Sequence, residues 1–551
     1  MADTKDVSLA GGDGGGQLKK DLNARHMTMI AIGGSLGIGL IVGTGSALAE
    51  AGPASILIAF ALVGFIVYLV MCSVGEIATY IPLSDGFTGY ATRYVDPCLG
   101  FAVGYTYWFN YLLFTPNQAT VASMLLQFWV GREKANPAIS IAVFLVLAFV
   151  LNLLMSVKFI GEFQYWISAT KILTTLGLFI CLMVIAFGGG PDHSVRGFQY
   201  WADPGAFKPY SRFQSNGDVF HIDGHKGKFI AFISVLITAV FSYLGVELIG
   251  VTVGESANPR KNIPSSIKMT FFRTIAFYIL SIVVIGMCVP YNDPKLAFNP
   301  GSTGSNAASP FIVAIENSGV KVLPHIINGS FVLFVFASGV AGYYIAARTL
   351  YGLAVNGHAP KIFVKTTENG NPIYSLIFSS IFSLLAFLNA SSSSAKVFGH
   401  FVNFVAVLGL LTWITILITH IAFMRALRHQ GIDRTELPWK APFQPYGSYI
   451  ALVFCIIVIF AKNLTVFLGP EFDYITFITA NLGLPLFVLL ALGYKFFKKT
   501  TRVTPNDADL VTFKDIIDRE EREIIMDKAL EQRNPTPTWK KVYKYSLGLL
   551  F

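Results

Sequence analysis

Charge is what this chain has least of. Only 13% of its 551 residues are Asp, Glu, Lys or Arg, where a soluble domain carries about a quarter. With 54% hydrophobic residues, the apolar side chains outnumber what a water-soluble core can hide, so lipid is the solvent for much of the surface. Cysteine is scarce as well. Cys72, Cys98, Cys181, Cys288 and Cys455 are scattered without redox or metal-ligand spacing, and they read as small buried hydrophobes. There is no metal cluster, nucleophile elbow or phosphate loop, so neither an enzyme nor a metal or cofactor is expected. The polar stretch up to about His26 is unlike a cleavable signal peptide, whose apolar core begins near the start, so the first apolar span is expected to direct insertion.

What the chain does have is long apolar runs. Crossing a bilayer takes about twenty residues, and runs of that order fall near 28–50, 54–81, 99–127, 137–156, 164–187, 229–253, 270–290, 325–354, 373–390, 400–424, 448–467 and 475–496. The expected fold is therefore all-α integral membrane with about twelve transmembrane helices. An even number of spans puts both termini on one side. Lys and Arg gather in the N-tail, the 6–7 and 10–11 connections and the segment after the last span, so both tails are expected in the cytoplasm. The net charge of +9 then reflects topology and anionic lipid, not nucleic acid. Beyond about 503, Leu510, Phe513, Ile516, Ile517, Ile524, Ile525 and Leu530 recur at near-helical spacing among charged residues. That pattern describes an amphipathic helix on the membrane or on the protein's own inner face, and it leaves room for cytoplasmic regulators of the tails. Asn328, Asn389 and Asn463 fit the glycosylation pattern but lie close to span ends.

The first span carries Gly33, Gly34, Gly37 and Gly39 within seven residues. Such a run serves either close helix packing or an unwound segment whose freed N–H groups meet a carboxylate. The sixth span holds a second interruption, Phe241-Ser242-Tyr243-Leu244-Gly245, followed by Glu247. Breaks at the first and sixth positions point to two five-helix inverted repeats with a binding site between them. Ionisable groups deep in apolar sequence are costly and usually functional. Glu247 is one, with a structural carboxylate as the alternative, and Lys171 is another, with a snorkelling lysine as the alternative. Glu76 reads as a member of a structural ion pair, and His420 as structural. In the third span, Pro116 places a kink beside Asn117 and Gln118, whose amides need partners from other helices or from a substrate.

Ordered motifs carry a resemblance. They include Leu18 through His26 running into Ala31 through Gly39, then Gly75-Glu76, Arg93 through Pro97, Lys158 through Glu162, and Gly188 through Pro191. Gly197 through Trp201, Asp203 through Phe207 and Gly254 through Lys261 follow. Together they resemble fungal amino-acid permeases of the amino acid–polyamine–organocation superfamily. The resemblance implies proton-driven amino-acid uptake at the plasma membrane, with membrane lipid, protons and substrate as the partners and no nucleic acid. By position it implies that the substrate carboxylate meets N–H groups around Ser35, Gly37, Ile38 and Gly39. The amino group would meet carbonyls around Phe241, Ser242, Tyr243 and Leu244. It also implies proton coupling through Lys171 or Glu247, with Lys171 standing where a sodium ion sits in related carriers. The expected organisation is an N-tail (1–26), a ten-helix inverted-repeat core (27–424), a cytoplasmic loop (425–446), two extra helices (447–496) and a C-tail (497–551).

Many members of this family have Glu where this chain has Gln118. An amide there removes a repulsion on the order of 4 kcal/mol at intermediate dielectric and so favours an anionic substrate. With Pro116-Asn117-Gln118 and the run Gly86 through Pro97, the chain looks most like the dicarboxylic members of the family, and glutamate and aspartate are the expected substrates. A broad or neutral carrier of the proline or γ-aminobutyrate type is the alternative within transport. A nutrient receptor that binds amino acid without moving it is the alternative outside it.

Overall fold

The computed structural model describes residue 37 and residues 39–526, apart from 84, 214–218, 249–258, 297–308, 368–369, 391–393, 469–471, 513, 516, 520 and 523–525. Ser35 and Ile38 lie outside the described residues, as do Phe513, Ile516, Ile524, Ile525 and Leu530 of the tail.

A π-helical turn, Gly39–Gly43, runs into α1 (Thr44–Ala51). Next come α2 (Pro53–Tyr80), α3 (Gly86–Tyr94), α4 (Pro97–Leu126), α5 (Pro137–Leu154) and α6 (Val157–Ala186). A short antiparallel hairpin, β1 (Tyr210–Phe213) with β2 (Val219–Ile222), precedes α7 (Gly224–Tyr243). α8 (Pro259–Arg273) continues through a π-helical turn into α9 (Leu280–Cys288), followed by α10 (Pro310–Asn317) and α11 (Leu323–Val355). α12 (Ile373–Ile381) tightens into a 3-10 segment, Phe382–Ala390, before α13 (Ser394–His429). α14 (Tyr446–Ala461), α15 (Leu464–Phe467), α16 (Tyr474–Asn481) and α17 (Gly483–Lys498) complete the helices.

Among the described residues, ten helical stretches are long and apolar enough to cross a bilayer. α4 has the length, at 30 residues, but Thr106, Asn110, Thr115, Asn117, Gln118 and Thr120 dilute its apolar character. The outward faces are apolar. On α5, Ile139, Val143, Val146, Leu147, Val150 and Leu154 are all exposed at roughly helical spacing, the reverse of the pattern on a water-soluble surface. Polar residues turn inward instead, where they tie helices together. Asn328 donates to the Leu125 carbonyl at 2.8 Å, and Asn389 donates to Thr120 at 2.9 Å. Both asparagines are fully buried, so neither presents itself for glycosylation.

Basic residues at two helix ends meet an acidic strap from the C-tail. Arg93 bonds the Asp509 and Thr512 carbonyls and pairs with the Asp509 carboxylate at 3.0 Å. Arg260 pairs with Asp518 and Glu521. Gln430, just beyond α13, donates to the Ala508 carbonyl at 2.7 Å, and Leu510 is fully buried. This part of the tail lies on the protein's own face.

Candidate functional site

Gly39, the last glycine of the first span's run, and the end of α7 touch. A Cβ on Gly39 would collide with the Ser242 backbone and lie 2.7 Å from the Ser242 Cβ. Only a residue without a side chain allows the two segments to approach so closely. Ser242 Oγ donates back to the Thr238 carbonyl at 2.8 Å, and its own carbonyl accepts from the Tyr278 hydroxyl at 2.8 Å.

α7 stops at Tyr243. Leu244 adopts φ −61° and ψ 149°, and Gly245 a φ of 93° that favours glycine. Glu247 folds back to receive the Gly245 N–H on both carboxylate oxygens at 3.1 Å, and it also accepts from Trp413 Nε1 at 3.4 Å. The carboxylate thus meets a backbone donor just past the end of α7, and it anchors the turn to α13. The Tyr243 side chain points away from this turn. Its hydroxyl donates to the Phe60 carbonyl of α2 at 3.0 Å, and its ring lies 4.6 Å from that of Tyr278.

A second cluster forms where α4, α5 and α6 meet α11. Pro116 interrupts the α4 hydrogen-bond ladder, and Asn117 and Gln118 follow it, both fully buried. All four amide atoms of the pair lack hydrogen-bond partners among the described residues. Gln118 lies beside α11, where a Cβ on Gly339 would come within 3.6 Å of its own Cβ. One residue away on α11, Ser338 accepts from Lys171 Nζ at 3.0 Å. Gln164 donates to the Ala337 carbonyl at 2.7 Å and Asn152 to the Val340 carbonyl at 3.1 Å. Lys171 and Gln118 thus approach the same turn of α11 from different helices.

A third cluster was legible in two of its members but not in their pairing. Glu76 on α2 meets His420 Nε2 at 3.0 Å and Arg434 Nε at 2.8 Å. Ser448 on α14 meets His420 Nδ1 at 2.8 Å and Ser73 at 2.9 Å, and Gln444 joins both serines. The ion pair expected of Glu76 is present with Arg434, and His420 hydrogen-bonds the same carboxylate. The signal was the depth of both residues in apolar sequence; the 344 positions between them hid the pairing. Among the described residues, no group of His, Cys, Asp and Glu is arranged to hold a metal.

The model of the amino acid permease family matches residues 26–505. The dicarboxylic amino acid permease of Saccharomyces cerevisiae is 51% identical over 524 residues, covering 95% of this chain and 84% of that protein. The basic amino-acid permease of the same yeast is 38% identical over 88% of this chain and 82% of that protein. The proline-specific permease of Emericella nidulans is 38% identical over 91% of this chain and 89% of that protein.

Proposed function

The chain belongs to the amino acid permease family, and on that premise we propose that it carries acidic L-amino acids, glutamate and aspartate, into the cell by proton symport. It is a multi-pass membrane protein. Adding α4 and the first span to the ten apolar stretches would give about twelve helices. The first ten would form the inverted repeat. Both tails would lie in the cytoplasm, and the membrane would be the plasma membrane.

One observation carries the substrate reading. The buried pair Asn117 and Gln118 leaves four amide atoms unpartnered among the described residues, and leaving each such atom unmet costs about 1–3 kcal/mol. Amides both donate and accept, so they receive a carboxylate without repelling it. A glutamate at 118 would repel an anion. The 51% identity with a dicarboxylic permease supports the same reading. The substrate's α-carboxylate would sit against the N–H groups of the glycine run, including Gly37 and Gly39. Its amino group would use the carbonyl lone pairs at the end of α7, and alternating access would follow from rocking about the two interruptions. Lys171 and Glu247 are the candidate coupling groups.

The test is competition for labelled glutamate in liposomes carrying the purified protein. Aspartate should displace the label, whereas proline and lysine should not. Displacement by proline in place of aspartate would support the neutral-carrier reading.

A further inference from the structure

Lys462 is a buried cation that the transport site described above does not use. It follows α14, is 8% exposed, and donates from Nζ to the Ala480 carbonyl of α16. An ammonium has three donors, and a desolvated cation held by a neutral carbonyl lacks its counter-charge. The side chain turns inward to α16 and the cavity beside it instead of lying along the lipid-facing surface. The lysine is also held in place. Asn463 and Asn481 exchange hydrogen bonds at 2.9 Å in both directions, tying the end of α14 to α16.

Lys462 lines a cavity of about 220 Å³ between α1, α7, α13, α14 and α16. Glu50, at the end of α1, lines it too, together with Ser234, Thr238, Asn403 and Thr476. Glu50 has Ser234 as its hydrogen-bond neighbour and Lys208 as its opposing charge, so among the described residues Lys462 is left over. The cavity therefore carries a carboxyl group and, among the described residues, a lysine without a counter-charge on its walls, with hydroxyls and an amide between them. Its volume suits a ligand of amino-acid size and is below the range usual for drug-sized ligands.

Its position adds to the case. Thr238 is one helical turn before Ser242 and accepts from its hydroxyl, so the cavity adjoins the end of α7 that meets Gly39. Phe398, on the cavity wall, stands edge-on to Phe241 with ring centroids 6.1 Å apart. Val402, also on the wall, is 28 residues before Gln430, where the tail strap docks. At 1.5 Å per helical residue, that is about 40 Å. The cavity and the strap thus lie toward opposite faces of the protein.

We propose that this cavity is an outer capture site for an amino-acid zwitterion, with Lys462 taking a carboxylate and Glu50 the ammonium, before the substrate passes Phe241 and Phe398. The proposal rests on the transport reading above. It assigns Lys462 to the capture of substrate, a step separate from the site at Gly39, Ser242 and Gln118.

The test is the initial rate of L-glutamate uptake in liposomes by wild type, Lys462→Gln, Lys462→Arg and Asn403→Phe, the last of which narrows the cavity without touching a charge. Losing one charge-assisted hydrogen bond should raise KM about tenfold in Lys462→Gln, with kcat close to wild type and substantial recovery in Lys462→Arg. Asn403→Phe should raise KM in the same direction, and it decides the matter alone if Lys462→Gln does not reconstitute. A wild-type KM in both Lys462→Gln and Asn403→Phe would overturn the proposal while leaving the transport reading intact. A wild type that carries only another amino acid would overturn the acidic-substrate reading, and the same KM comparison made with that amino acid would then decide the capture site.

Discussion

Gly39 and Ser242 are in such close contact that no side chain fits between them: a Cβ on the glycine would fall within 2.7 Å of the serine Cβ and closer still to its backbone. The segment that begins at Gly39 and the end of α7 are therefore packed as one unit. Gly39→Ala must push them apart, and overpacking of a tight contact costs about 1–3 kcal/mol. Uptake should fall at least tenfold, while the rest of the bundle keeps the protein extractable as a monodisperse species. Size-exclusion profiles alongside uptake check both halves; wild-type uptake would show that the contact is dispensable.

Glu247 closes the turn that ends α7 through two bonds from the Gly245 N–H and one from Trp413. Glu247→Gln keeps an acceptor for these donors but loses the ability to carry a proton. The variant should therefore exchange internal for external substrate at a rate near wild type, yet fail to accumulate substrate under an inward proton gradient. Retained accumulation would move the coupling role to Lys171 or to the substrate.

Glu76 is buried between His420 and Arg434. Removing one partner of a buried charged pair is typically destabilising by about 3–5 kcal/mol, so Glu76→Ala should lower the thermal unfolding temperature clearly more than Ser448→Ala does. Thermal melts in detergent provide the comparison. Equal melts would show that water or a neighbour replaces the carboxylate.

These clusters mark what could and could not be read from the sequence. The end of α7 at Leu244 and Gly245 was legible because a glycine close to an ionisable residue, deep in an apolar span, disfavours further helix by local chemistry alone. The missing backbone donor at Pro116, inside a helix that runs on through it, was legible for the same local reason. Pairings across the bundle were not: Lys171 with Ser338 and Glu76 with His420 depend on helix packing, which periodicity alone does not specify. The tail pattern announced an apolar face at Leu510 but not its acceptor, because Arg93, Arg260 and Gln430 come from three distant parts of the chain. Asn328 and Asn389 matched a surface motif in sequence, whereas packing placed them inside.

The strap also yields a pH prediction. Asp96 accepts from Lys495 at 2.7 Å, Thr500 at 2.8 Å and the Cys98 N–H at 2.9 Å. Burial alone would raise its carboxyl, but these donors outweigh burial and hold it at about 2. A depressed carboxylate contributes its full stability above the unfolded value of about 3.9 and loses it as pH falls through the folded value. Amide exchange across 500–512, corrected for intrinsic rates, should therefore be flat from about pH 5 to pH 8 and should accelerate only toward about pH 3. Acceleration within the neutral range would mean that another group controls the strap.

If the uncharged amide of Gln118 is what admits an anionic substrate, Gln118→Glu should reverse the preference. Uptake of labelled glutamate and of a labelled neutral amino acid should be compared in the same liposomes, with an inward proton gradient. A repulsion of about 1.4 kcal/mol already corresponds to tenfold, so the account predicts that the ratio of glutamate to neutral uptake falls by at least that factor. An unchanged ratio, with glutamate still accumulated, would contradict it.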